Sequence, residues 1–182
     1  MNNNHIALEK LIKLGEGDNL EFKSNFNNEL IETLVAFANT LGGKVVVGVN
    51  QKNELTGVVM NAESVQNWIN EIKNKTSPTL IPDVVVMEIG SKKAVIFSIQ
   101  EYPIKPVATR GKYFKRIANS NHLLSISEVV NLHLQSFNTS WDFQPNNQFK
   151  IDAISLVKVQ AAIDIFNQTN TGIKDDPLTF LL

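Results

Sequence analysis

Apolar and polar positions along this chain alternate with two periods, and the switches between them predict its elements. Residues 5 to 14 place Ile6, Leu8, Leu11, Ile12 and Leu14 on one side of a short helix that Gly15 stops. Leu20 and Phe22 then alternate with Glu21 and Lys23, as on a half-buried strand. Leu30, Ile31, Leu34, Val35, Phe37, Ala38 and Leu41 recur at three-to-four spacing, which predicts an amphipathic helix. Asn27 or Asn28 can cap its start and Gly42 can end it. The run from Lys44 to Val49 is short and β-branched, a buried central strand. A polar turn from Asn50 to Glu54 leads into Leu55-Thr56-Gly57-Val58-Val59, which reads as the return arm of a hairpin.

Residues 62 to 76 carry Val65, Trp68, Ile69 and Ile72 on one helical face, with Asn61 as cap and Pro78 beyond the end. That spacing assigns Trp68 to the core rather than to a base-stacking platform. Val84 to Ile89 and Lys93 to Ile99 flank Gly90-Ser91-Lys92 as a second hairpin. Ser125 or Ser127 opens a further helix, with Glu128 as capping-box partner of Ser125, bearing Ile126, Val129, Val130, Leu132, Leu134 and Phe137. The fold class is α+β: a mixed sheet of four to five strands flanked by helices, in one domain over residues 1–137. Residues 138–150, rich in Asn and Gln, read as a linker. Residues 151–182 read as a helical extension. It holds one helix through Leu156, Val159, Ala162, Ile163 and Phe166, and another starting at Pro177 behind Asp176. Because the chain stops within apolar Phe180-Leu181-Leu182, the extension is expected to be the start of a truncated following domain.

Composition narrows the chemistry. A formal charge of -1 over 182 residues gives no global attraction to nucleic acid, so any basic footprint must be local. The absence of cysteine excludes disulfides, thiolate metal sites and cysteine nucleophiles. His5, His122 and His133 are too scattered for a metal constellation. No apolar run is long enough to span a bilayer, and the expectation is a cytoplasmic protein without membrane contact. Gly42-Gly43-Lys44 is not a phosphate-binding loop, because Ala38 and Val45 stand where glycine and a hydroxyl residue are needed. No nucleotide hydrolysis is expected.

Two places carry candidate chemistry. Glu16 and Glu21 flank Gly17-Asp18-Asn19, and two carboxylates converging there would suit magnesium or manganese. Alternatively, Glu21 pairs with Lys23 or a basic neighbour and Glu16 caps a turn. The second place is Pro103 to Arg116, where Lys105, Arg110, Lys112, Lys115 and Arg116 are interrupted by no acid and interleaved with Tyr113 and Phe114. Cations can contact phosphates and an exposed ring can stack a base. Asn119, Ser120 and Asn121 add short polar donors. The alternative is a solvated edge strand whose lysines prevent edge pairing.

The order of these features resembles a known family. Glu-x4-Glu-Phe-Lys from Glu16, a helix ending Ala-Phe-Ala-Asn-Thr-x-Gly-Gly, and a strand ending Gly-Val-Asn resemble the Alba-type domain of Schlafen proteins, over about residues 10 to 135. That domain also opens bacterial proteins described as transcriptional regulators or as related to ATP-dependent DNA helicases. The resemblance implies an Alba-like fold and a surface facing nucleic acid. In its nuclease-active members the positions of Glu16 and Glu21 hold a catalytic metal. Their third acid follows the Gly-Val pair, where this chain has Asn50 and Gln51. Neutral amides are weaker ligands, and Asp18 or Glu54 are the nearby substitutes.

The expected function is therefore nucleic-acid binding, to DNA or RNA, by a module of a bacterial transcriptional regulator that needs no cofactor. Its contacts would be Lys23, Lys105, Arg110, Lys112, Tyr113, Lys115, Arg116, Asn119 and Ser120. One alternative is a magnesium- or manganese-dependent nuclease using Glu16 and Glu21. Another is a protein-contact domain without nucleic acid. A homodimer would suit the small footprint of one module.

Overall fold

A computed structural model of the chain describes residues 3–137 and 155–169. Helix α1 spans Asn3–Leu14 and ends at Gly15, whose φ of 75° is open to glycine. Strand β1 (Leu20–Lys23) follows, then helix α2 (Asn28–Ala38) and strand β2 (Gly43–Val47). Asn27 caps α2 by accepting a hydrogen bond from the Leu30 N–H. At its other end Gly42, at φ 74°, donates back to the Phe37 carbonyl. Next come α3 (Ser64–Lys75), β3 (Thr76–Ser77), β4 (Asp83–Ile89) and β5 (Lys92–Ile99). The remainder of this unit is β6 (Ala108–Thr109), β7 (Lys112–Ile117), β8 (Ser120–Leu123) and α4 (Ile126–Ser136).

The α+β class holds, with two sheets where the sequence suggested one. The first is mixed, in the order β1-β2-β5-β4: β1 lies parallel to β2, with Glu21 beside Val45, and the other pairs are antiparallel. The second runs β3-β6-β7-β8 and is antiparallel. Helix α2 lies between them. Leu30, Leu34, Val35 and Phe37 cluster with Val45, Val47, Val95 and Phe97 of the first sheet and with Val107 and Phe114 from the side of the second. A helix apolar on nearly every side has no other stable place. A smaller core on the opposite face of the first sheet joins Leu8 of α1 to Leu20, Phe22, Val46 and Ile96.

Three expectations change in detail. Leu55 to Val59 form no strand, only a bridge between Leu55 and Val49. Gly48, at φ 100°, turns the chain, and its carbonyl takes the Thr56 and Gly57 N–H groups while Val58 donates to Lys93. Asn61 acts one turn early, accepting from the Glu63 N–H and Ser64 hydroxyl, so α3 starts at Ser64. Helix α4 has its Ser125–Glu128 capping box, but none of its residues is fully buried. Ile126 is 86% and Val130 50% exposed, so its apolar stripe does not pack as the periodicity suggested. Trp68 does belong to the core, stacked on Phe26 at 5.2 Å.

The chain divides into two units, Met1–Trp141 and Asp142–Leu182. Within the second, α5 spans Leu156–Thr169 with Ile163 buried. The predicted linker over 138–150 and the predicted helix at Pro177 lie outside the described residues. Among the described residues no helix is long and apolar enough to cross a membrane.

Candidate nucleic-acid interface

Strand β7 carries most of the basic run, and its alternation sorts the charges. Phe114 and Arg116 point inward, Tyr113 and Lys115 are half-buried on the other face, and Lys112 is exposed. The Arg116 side chain is 1% exposed, and its guanidinium is surrounded by acceptors. It donates to the Gly17 carbonyl at 2.9 and 3.0 Å, to the Asn121 side-chain oxygen at 3.0 Å and to a Glu21 carboxylate oxygen at 2.6 Å. Its carbon lies 5.1 Å from the Phe37 ring centre, a cation–π contact. Its backbone N–H donates to Thr40 at 3.0 Å. All this fixes β7 to the start of β1 and to α2, and it buries the guanidinium out of reach of a phosphate in solvent. The expectation that Arg116 contacts nucleic acid is corrected on that ground.

The other Glu21 oxygen is 2.9 Å from the Lys23 ammonium, which also lies 3.6 Å from Glu29. Burial works to lower the pKa of Lys23, but the hydrogen bond it donates to Glu21 and the charges of Glu21, Glu29 and Glu16 outweigh it and raise it. Glu16 accepts from the Phe22 N–H at 3.0 Å, closing the turn before β1. The predicted metal pair is thus engaged elsewhere. A divalent ion at Glu21 would meet two cations already in place, and among the described residues no three acidic or histidine side chains are grouped to hold a metal. Asn50 instead bonds to Glu54 at 2.9 Å, and Gln51 is an exposed turn residue. These residues do not fit a divalent cation.

Apart from Lys105 and Lys115, the remaining candidates of this region fall at the two ends of β7. A six-residue strand spans about 17 Å between its terminal residues, so they do not form one cluster. At one end Arg110 and Gly111 make the β6–β7 turn, both with positive φ (50° and 71°), as a tight two-residue hairpin turn requires. This turn presents Arg110 and Lys112 on either side of a glycine. The Lys112 side chain has no hydrogen bond or ion pair to any described residue. Arg110 pairs with Glu32 of α2, with its own side chain 48% exposed. At the other end Asn119 and Ser120 are exposed beside the turn at Ala118. Lys105 pairs with Glu101 on a separate loop, and Lys115 with Glu128 of α4 at 2.5 Å. The Lys115 hydrogen bond, with those from the Ser125 backbone and hydroxyl, lowers the Glu128 pKa to about 2.

Counting the run alone missed these acids. Glu32, Glu21 and Glu128 are far away in sequence, and folding brings one carboxylate to each of four of the five cations. It also missed Asn39. Buried at the end of α2, Asn39 donates to the Val107 and Phe114 carbonyls at 2.8 and 2.9 Å and accepts from the Val107 N–H at 2.7 Å, tying the helix to the second sheet. Its only sequence signal is its place in the Ala-Phe-Ala-Asn-Thr motif.

A helix enclosed by two small sheets, with a cationic hairpin at one margin, defines a two-sheet α+β module. Residues 16–125 match the family described as Schlafen, AlbA_2, and the chain belongs to that family. Among solved structures it is similar to the DIP2311 protein of Corynebacterium diphtheriae, with a TM-score of 0.55 and 14% identity. That match covers 88% of this chain and 38% of the other, so this chain spans well under half of that protein. The likeness is one of fold. It is also similar to the N-terminal domain of a protein from Nitrosomonas europaea described as related to the ATP-dependent DNA helicase RecG. There the TM-score is 0.49 at 20% identity, over 69% of this chain and 95% of that one. No curated protein matches in sequence.

Proposed function

We propose that the chain is the nucleic-acid-binding module of a cytoplasmic bacterial transcriptional regulator, holding DNA or RNA phosphates on the β6–β7 hairpin. The observation that carries this reading is Lys112, a cation without a carboxylate partner among the described residues, set two positions from Arg110 across a tight turn. The Arg110–Glu32 pair does not compete strongly. Exposed ion pairs contribute about 0–1 kcal/mol, so a phosphate can replace Glu32. Lys115 further along β7, Asn119 and Ser120 beyond its far end, and Lys23 at the end of β1 would extend the contact once a strand is bound. Membership of the Schlafen AlbA_2 family supports the same reading.

The test is fluorescence anisotropy with labelled single-stranded DNA, duplex DNA and structured RNA across a salt series. Two to three phosphates neutralised give a slope of log affinity on log salt of about -2. A flat salt response, or binding untouched by Arg110→Glu together with Lys112→Glu, would remove the hairpin from the interface.

A further inference from the structure

Between α4 and the second sheet lies an open groove of about 660 Å3 that the phosphate contacts do not use. Pro78, Pro106 and Val130 make its walls apolar, and Tyr113 and His133 place two flat rings on it. Its polar groups are few and available. The Tyr113 and Ser77 hydroxyls have no hydrogen-bond partner among the described residues. His133 donates from Nδ1 to the Lys105 carbonyl at 2.9 Å, which leaves Nε2 as an acceptor in the neutral ring. Gly111 stands at the mouth, where even an added Cβ would meet nothing within 4 Å. Lys112, a cation unpaired among the described residues, is the next residue.

We propose that this groove takes a nucleobase turned out of a single strand whose phosphate rests on Lys112. The inference rests on the function proposed above and names the class of nucleic acid: single-stranded, with an accessible base. An apolar pocket with a few free polar groups suits a planar ring with hydrogen-bonding edges. An aliphatic helix seated there would bury the Ser77 and Tyr113 hydroxyls without partners, which is unfavourable. The charge complementarity is one-sided: Lys112, unpaired among the described residues, adjoins the mouth, and no carboxylate is among the described residues that line the groove. A base in a duplex must first be unpaired and unstacked, so duplexes bind less well.

The experiment titrates the 182-residue chain with a short labelled oligothymidylate, with the same strand made wholly abasic, and with a duplex. The base-bearing strand should bind about tenfold more tightly than the abasic one, as base–aromatic stacking implies. Tyr113→Ala and Val130→Gln should each bring that ratio close to one. Val130 is half exposed, and circular dichroism checks that both variants fold. Equal, salt-sensitive binding of base-bearing and abasic strands overturns the groove and leaves the hairpin reading standing. No binding of any strand removes both. If Val130→Gln halves the mass measured by light scattering while the base preference persists, the groove belongs to a second copy of the chain and the proposal is wrong.

Discussion

Arg110 and Arg116 lie in one basic run, and each pairs with a glutamate, yet they end in opposite situations. Arg116–Glu21 is buried, with the guanidinium spread over two carbonyls' worth of backbone, an amide and an aromatic face. Arg110–Glu32 is open to water on a hairpin turn. The difference teaches that a charge in sequence becomes an interface only where the fold leaves it outside. One arginine joins strand to helix, and the other is free to change partners.

The most severe way to break this comparison is Arg116→Met. With Lys23 as its only remaining cation, buried Glu21 should destabilise the fold by about 3 kcal/mol or more, read by urea unfolding. A change within experimental error would mean that Arg116 is as dispensable as Arg110. Asn39→Ala tests the other tie between α2 and the second sheet. It strands the Val107 N–H and two carbonyls, and about 2–3 kcal/mol of stability should go. Arg110→Glu with Lys112→Glu should do the reverse. Stability should move by less than about 0.5 kcal/mol, while affinity for single-stranded DNA at low salt drops roughly tenfold or more.

The smallest effect concerns pH. The Glu128 carboxyl is depressed in the fold from its ordinary 4.5 to about 2, so its stabilisation of α4 is present above 4.5 and is lost as pH falls toward 2. Carboxyl-carbon NMR should find that low midpoint, and Lys115→Ala should move it upward. A midpoint unmoved by Lys115→Ala would show that the Ser125 cap alone sets it.

Much of the first sheet was legible. Leu20 to Lys23 alternate cleanly, Leu30 to Ala38 keep one helical period, and Val45 to Val47 are continuously apolar, so local pattern and final burial agree. The second sheet was not, because β3 and β6 are two residues each and no period can be read from two positions. Leu55 to Val59 misled because their strand-like composition ignores Gly48, whose backbone turns the chain away. For the site, the hairpin cations were visible and their neutralising acids were not. Glu101 stands just ahead of the run, while Glu21, Glu32 and Glu128 reach it only through folding.

Helix α2 contributes to the core on both of its sides, so neither sheet can part from it without exposing apolar surface that the other also covers. Local opening of this helix is therefore nearly as costly as unfolding the whole unit. Its backbone amides should be the last in the domain to take up deuterium, in one slow cooperative step. Those of α4, which has no fully buried residue, should exchange early and independently.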